Sequence, residues 1–247
     1  MTVTPQHPHG ALRSYGRIKA RPIKARQAAL VETLLPRIDL PQGAFDPRDL
    51  KPDAREIWLE IGFGGGEHLA GQAARDPGLL ILGVEPFLNG VASALRHVDE
   101  GGLENVRLHQ GDAREVVARL PDACLDRVFI LFPDPWPKSR HHKRRLIQPG
   151  FLAELARVLK PGGRLRFATD WAAYADWTLE RVLASGLFGW PAERADDWRR
   201  PPADHLTTRY EEKRLGDCAP VWLDFVRETA DGGGSAVSRS DQGAFRS

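Results

Sequence analysis

Short apolar runs alternate with helix-patterned segments along most of this chain, and that alternation constrains the fold more than any other feature. Leu79–Val84 (LLILGV) and Arg127–Phe132 (RVFILF) are almost continuously apolar, as strands covered on both faces are. Ile57–Ile61, Val106–His109 and Arg164–Ala168 read as three more strands of the same series. Helices are expected over Glu67–Arg75, from Pro86 to the Gly101-Gly102 pair, over Ala113–Leu120, from Pro149 to the KPGG stretch, and over Trp171–Ala184. Each carries apolar residues at helical spacing. Pro86 is placed in a first helical turn, where its missing N–H has no partner to lose. A further helix is expected over Arg26–Ile38, and two weaker strands near Leu187–Trp190 and Val221–Val226. Strands and helices in this order imply an α/β fold, a doubly wound, mostly parallel, seven-stranded sheet with helices on both faces. Residues 26–228 form that domain. Residues 1–25 read as a mobile basic arm and residues 229–247 as a disordered tail of low apolar content.

In such a sheet the ligand crevice lies at the carboxyl ends of the strands. Five acids collect there: Glu60, Glu85, Asp112, Asp134 and Asp170. A buried carboxylate is costly without a partner. Capping of the next helix explains one or two of the five, so the rest point to a ligand. Gly62 and Gly64 allow a sharp turn and close backbone approach. Glu85 follows Gly62 by 23 residues, close to the spacing at which an acid receives a ribose. That pattern suits a nicotinamide dinucleotide and S-adenosylmethionine alike. Glu67 stands where the dinucleotide turn needs its third glycine, and it would repel a pyrophosphate at the helix N-terminus. S-adenosylmethionine has no phosphate to repel. Asp112, before Ala113, suits the adenine amino group, and Glu60 suits the ammonium or sulfonium end.

The net charge of +2 conceals a polarised distribution. Six cations and no acid in residues 1–26 leave the remaining chain at −4. A second basic island comprises Lys138, Arg140, Lys143, Arg144 and Arg145. Two such islands on a mildly acidic body suit a localised polyanion site, while each alone reads more readily as a solvated segment. Cys124 and Cys218 have no CxxC spacing, which excludes a disulfide framework or zinc ribbon. His141-His142 and His7-Pro8-His9 lack companions at ligand spacing, so no metal is expected. With no apolar run of spanning length and no secretory signal, a cytoplasmic protein is expected, without membrane contact and as monomer or homodimer. Trp136 reads as either a base-stacking platform or a core aromatic. Trp171 and Tyr174 read as core, and Thr208–Glu211 as a capping box.

The stretch Phe132-Pro133-Asp134-Pro135-Trp136-Pro137-Lys138-Ser139-Arg140-His141-His142-Lys143-Arg144-Arg145 closely resembles the signature of the bacterial tRNA (guanine-N7)-methyltransferases. Glu60–Leu69, Gly83-Val84-Glu85 and Gly111-Asp112-Ala113 are similar to that family's cofactor motifs. Thr169-Asp170-Trp171 and Thr208–Glu211 are similar to its substrate-side motifs, and Arg13–Arg17 to its basic N-terminal segment. The resemblance spans residues 13 to about 226; the tail has no counterpart. It implies a class I, Rossmann-like methyltransferase that uses S-adenosylmethionine to methylate N7 of the variable-loop guanine, position 46, of tRNA. It also implies that Glu60, Gly62, Gly64, Glu85, Asp112, Ala113 and Asp134 contact the cofactor, Asp134 being the active-site residue. Lys138, Asp170, Thr208, Arg209, Tyr210 and Glu211 would meet the target nucleotide. Arg140, His141, His142, Lys143, Arg144 and Arg145, with Arg13 and Arg17, would meet the RNA.

The chemistry is consistent with this residue set. N7 of guanine has an in-plane lone pair and no proton, so attack on a sulfonium methyl needs alignment and no base. A carboxylate at Asp134 would accept from guanine N1–H and the N2 amino group, a donor pair adenine lacks. Three rivals remain at this level. An NAD(P)-dependent oxidoreductase shares the glycine turn but leaves the basic loop unexplained. A non-catalytic RNA-binding module leaves the acid rim unexplained. A methyltransferase with a protein or small-molecule target leaves the basic islands without a purpose.

Overall fold

The computed structural model describes residues 22–229; residues 1–21, with Arg13 and Arg17, and residues 230–247 lie outside the described part. The seven strands are β1 (Glu56–Ile61), β2 (Leu79–Glu85), β3 (Val106–Gln110), β4 (Leu125–Leu131), β5 (Leu159–Thr169), β6 (Phe188–Gly189) and β7 (Val221–Arg227). They form one sheet in the order β3-β2-β1-β4-β5-β7-β6. The first five pair in parallel; β7 runs antiparallel to both β5 and β6. The winding direction reverses between β1 and β4, so the crevice opens above the carboxyl ends of those two strands.

Strand alternation assigns the faces. Ile57, Leu59 and Ile61 of β1 pack with residues of α5 (Ala113–Arg119), α6 (Pro149–Val158) and α7 (Ala172–Ala184). Trp58, on the other face, belongs to a second core cluster with residues of α3 (Glu67–Arg75) and α4 (Leu88–Gly101). Glu60 shares the face of Trp58 and therefore points under α3. Tyr174 is fully buried, as its helical position suggests. Among the described residues no helix is long and apolar enough to cross a membrane.

Several element boundaries differ from the sequence reading, and three of them have a clear local reason. The helix expected over Arg26–Ile38 is two pieces, α1 (Ala25–Thr33) and α2 (Leu35–Ile38). Pro36 cannot donate to the preceding turn, so the helix breaks at Leu34. Pro86 lies outside α4, which begins at Leu88 with Phe87 as its N-cap. The Glu85 side chain takes the Phe87 N–H at 2.9 Å instead. β5 begins at Leu159, not Arg164, because Leu159 already pairs with Leu125 before a register shift. Gly162, at φ +77°, absorbs that shift.

An ion network centred on a buried arginine secures the face beneath α3. Arg166, only 3% exposed, donates through Nε to Asp224 at 2.7 Å and through Nη1 to Asp204 at 2.6 Å. Arg127 holds the other Asp204 oxygen at 2.8 Å. Burial alone would raise the Asp204 pKa, but Arg166 and Arg127 together hold it down at about 2. A depressed carboxylate stabilises the fold above its unfolded value, about 3.9, and that contribution disappears as pH falls through its folded value. Asp204→Asn is therefore expected to lower the free energy of urea unfolding at pH 7 by about 1–2 kcal/mol, discounted for partial exposure. The deficit should shrink below about pH 4. A deficit of the same size at every pH would show that the charge plays no part.

Candidate active site

The turn after β1 is built from left-handed glycines. Gly62, Gly64 and Gly66 have φ of +72°, +54° and +82°, a region in which any other L-residue is strained. A Cβ on Gly62 or Gly64 would meet no atom within 4 Å, so the backbone faces open space there. At Gly66 a Cβ would lie 2.5 Å from Ala94 Cβ, which shows how closely α3 and α4 approach.

Glu85, at the end of β2, is folded back onto this turn. Its Oε2 accepts from Gly64 N–H at 3.0 Å and its Oε1 from Phe87 N–H at 2.9 Å. Burial pushes its pKa up; the two N–H groups oppose this, and the negative charge of Asp134 adds to it. β4 pairs in parallel with β1, so the Pro133 loop and the glycine turn leave the sheet at the same edge. Glu60 is buried, with its Oε2 at 2.7 Å from His68 Nδ1. Asp112 is the N-cap of α5, accepting from Arg114 N–H and Arg114 Nε–H, both at 2.9 Å. Burial would raise the Asp112 pKa, but Arg114 carries it below the usual carboxylate range. Helix capping therefore accounts for Asp112 as well as a ligand does. Ala113, beside it, is buried in the first turn.

The loop after β4 is strained on both sides of its acid. Phe132 and Trp136 have φ of +52° and +44°, a cost of about 1–3 kcal/mol each for bulky residues. Between them Asp134 is exposed. Phe132 packs on Tyr210 with ring centroids 5.5 Å apart. Tyr210 donates its hydroxyl to Asp170 Oδ1 at 3.3 Å. Asp170 is 4% exposed, and burial pushes its carboxyl above the usual range despite the hydrogen bonds it accepts. Thr208–Glu211 forms the expected capping box at the start of a one-turn helix, Arg209–Glu212. Glu211 also binds His205 Nε2 at 2.8 Å, and Arg209 pairs with Glu67 at 2.7 Å. The Thr208–Glu211 segment is thus tied to the helix after the glycine turn through Arg209 and to Asp170 through Tyr210.

The basic stretch divides. Lys138, Arg140 and Lys143 are exposed on or beside a 3-10 turn over Ser139–Arg144. The Arg144 guanidinium lies 5.0 Å from the Trp136 ring centroid, and His141 meets the same ring edge-on. Trp136 is thus partly buried and flanked within the loop itself. Partial burial and the neighbouring Arg144, Arg140, Lys138 and Lys143 hold the His141 imidazole below its usual range. His142 packs edge-on against Trp177. Arg145 corrects the sequence reading. It is 2% exposed and donates to the carbonyls of Pro135 at 2.9 Å and Ala173 at 3.0 Å. The Tyr174 and Trp177 rings cover it at 4.8 and 4.9 Å. It braces the loop from beneath and cannot reach RNA.

Sequence reasoning missed Phe132, His68 and His205. Nothing local announces a left-handed phenylalanine. His68 and Gln72 were legible as an i, i+4 pair on the buried face of α3.

A sheet of this order, with a glycine turn after β1 and acids at the ends of β1, β2 and β3, defines the class of Rossmann-like methyltransferases. Solved structures agree at the level of fold. One is the 16S rRNA methyltransferase KamB, with TM-score 0.52 at 16% identity over 76% of this chain and 96% of that one. Another is a 16S rRNA (adenine(1408)-N(1))-methyltransferase from Catenulisporales acidiphilia with its cosubstrate SAM, at TM-score 0.52 and 20% identity, over 75% of this chain and 92% of that one. The methyltransferase family model Methyltransf_4 matches residues 54–222. A tRNA (guanine-N(7)-)-methyltransferase of Caulobacter vibrioides (strain NA1000 / CB15N) is 68% identical over 91% of this chain and 99% of its own length. One from Rhodospirillum rubrum is 46% identical over 97% and 98%. The chain belongs to the tRNA (guanine-N(7)-)-methyltransferase family.

Proposed function

We propose that Asp134 is the residue around which this chain carries out its family's reaction, the transfer of a methyl group from S-adenosylmethionine to N7 of guanine in tRNA. The supporting observation is that β2, β1 and β4 are parallel neighbours, so Glu85, the glycine turn and the exposed Asp134 stand along one edge of the sheet, beside an exposed basic turn. The residues present suit the donor. Open space beside Gly62 and Gly64 takes a ligand, Glu85 suits a ribose, Glu60 an ammonium and Asp112 an adenine amino group. The bound donor supplies an electrophilic methyl on a sulfonium. The protein's own residues do the positioning, which is worth about 7–11 kcal/mol when the reacting atoms are well aligned.

Asp134 accepts hydrogen bonds from guanine N1–H and N2–H and so selects guanine over adenine. Phe132, Tyr210 and Asp170 form the wall beside it. Lys138 reaches the target nucleotide, while Arg140, Lys143 and the arm with Arg13 and Arg17 hold the backbone. The target is the variable-loop guanine, position 46, and the cytoplasm is where this chemistry takes place. Incubating unmodified tRNA with the protein and S-adenosylmethionine should yield 7-methylguanosine by nucleoside mass spectrometry. The same tRNA with adenine at position 46 should yield none. Product at another base would overturn the assignment of the target.

A further inference from the structure

Glu60 does not stand alone beneath the glycine turn. Its Oε2 lies 2.7 Å from His68 Nδ1. His68 Nε2 lies 3.2 Å from Gln72 Nε2, and Gln72 Nε2 lies 2.6 Å from the backbone carbonyl of Asp204. Glu60, His68 and Gln72 are 3%, 1% and 4% exposed, so water does not complete these bonds.

The Asp204 carbonyl sets the direction of the whole chain. A carbonyl only accepts, so the Gln72 atom facing it must be the amide nitrogen. The opposite amide orientation would set two acceptor oxygens 2.6 Å apart. The second hydrogen on that nitrogen then faces His68 Nε2, which must offer a lone pair. The ring proton is therefore on Nδ1, and Nδ1–H donates to Glu60. In this arrangement the imidazole is neutral and Glu60 keeps its full negative charge. A doubly protonated ring would cancel that charge. The Asp204 carbonyl is itself held in place, because Arg166 and Arg127 grip the side chain of the same residue.

We propose that His68 is a positioning residue: it holds Glu60 as a singly charged carboxylate aimed at the amino-acid end of the donor, with its tautomer imposed by Gln72 and the Asp204 carbonyl. This rests on the reading of Glu60 as the partner of the donor's ammonium group. It also ties the donor pocket to the segment that leads into Thr208–Glu211, because the last acceptor in the chain belongs to that segment.

Two ligands separate this role from simple packing. S-adenosylhomocysteine carries the ammonium group, whereas 5′-methylthioadenosine has the same nucleoside without the amino acid. By calorimetry, Glu60→Gln should weaken S-adenosylhomocysteine about tenfold or more and leave 5′-methylthioadenosine within twofold. His68→Leu should do the same. His68→Asn keeps an N–H donor near the Nδ1 position and should recover affinity to within about threefold of the unmodified protein. Binding of 5′-methylthioadenosine reports in each variant that the pocket is folded. Should His68→Leu not fold, Gln72→Leu is the second test, with the same selective loss expected. Nitrogen-resolved NMR of the unmodified protein should show Nε2 as the unprotonated ring nitrogen of His68. An unchanged ligand ratio in Glu60→Gln overturns both the reading of Glu60 and the role of His68. A changed ratio in Glu60→Gln with an unchanged one in His68→Leu overturns only the role of His68. Equal weakening of both ligands in His68→Leu, or a protonated Nε2, also overturns it.

Discussion

Replacing Asp134 with asparagine is expected to lower kcat/KM on unmodified tRNA by about 10²–10⁴-fold. The size follows from two losses. A charge-assisted hydrogen bond to a guanine N–H is worth about 1.5–3 kcal/mol, and an amide N–H turned against that donor leaves a polar pair unsatisfied at about 1–3 kcal/mol. Each 1.36 kcal/mol is one decade. The variant should fold normally, because Asp134 is exposed. It should also relieve Glu85 of a nearby negative charge, so donor affinity should suffer far less than turnover. Single-turnover kinetics on one purified tRNA, with donor affinity measured separately, checks this. Activity within threefold of the unmodified protein would remove the carboxylate from the mechanism.

Binding of tRNA should weaken by roughly 10³-fold between about 50 and 200 mM monovalent salt if about six phosphates are neutralised. The described part of the surface assigns a share of that number. Lys138, Arg140 and Lys143 are exposed, and replacing all three by alanine should reduce the slope of log affinity against log salt by roughly 2–3. Arg145 makes the contrast. Its guanidinium is buried on two carbonyls and two rings, so Arg145→Lys should leave the slope unchanged while reducing turnover. Filter binding over a salt series distinguishes the two sets. A flat salt response would remove the electrostatic grip, and a slope that falls in Arg145→Lys would return that residue to the RNA surface.

The contrast within the basic stretch shows how much was legible beforehand. Apolar runs such as Leu79–Val84 and Val128–Phe132 are readable as strands because burial on both faces leaves no polar position in them. Once the strands were ordered, their acid-bearing ends followed, and Glu85 and Asp134 do share a rim. A run of cations carries no comparable signal. Lys143 and Arg145 look alike in sequence, yet the 3-10 turn carries one to solvent and the other beneath Pro135. The left-handed backbone at Phe132 and Trp136 was equally hidden, since only tertiary packing sustains it. Pro36 was legible: a proline near the end of the helix expected over Arg26–Ile38 breaks it one turn earlier.

The long connection from residue 190 to residue 220 enters from β6 and leaves into β7, the two antiparallel strands at one edge of the sheet. The segment from Asp204 to Glu211 travels on this one excursion, whereas the glycine turn, Glu85 and Asp134 sit at the ends of parallel strands. Exchanging this excursion would therefore alter one margin of the protein and leave the glycine turn and the Asp134 loop in place. The junction has one strict condition. An incoming segment must present a backbone oxygen to Gln72 and a carboxylate to Arg166, or the graft will rest on two buried donors that it leaves hungry.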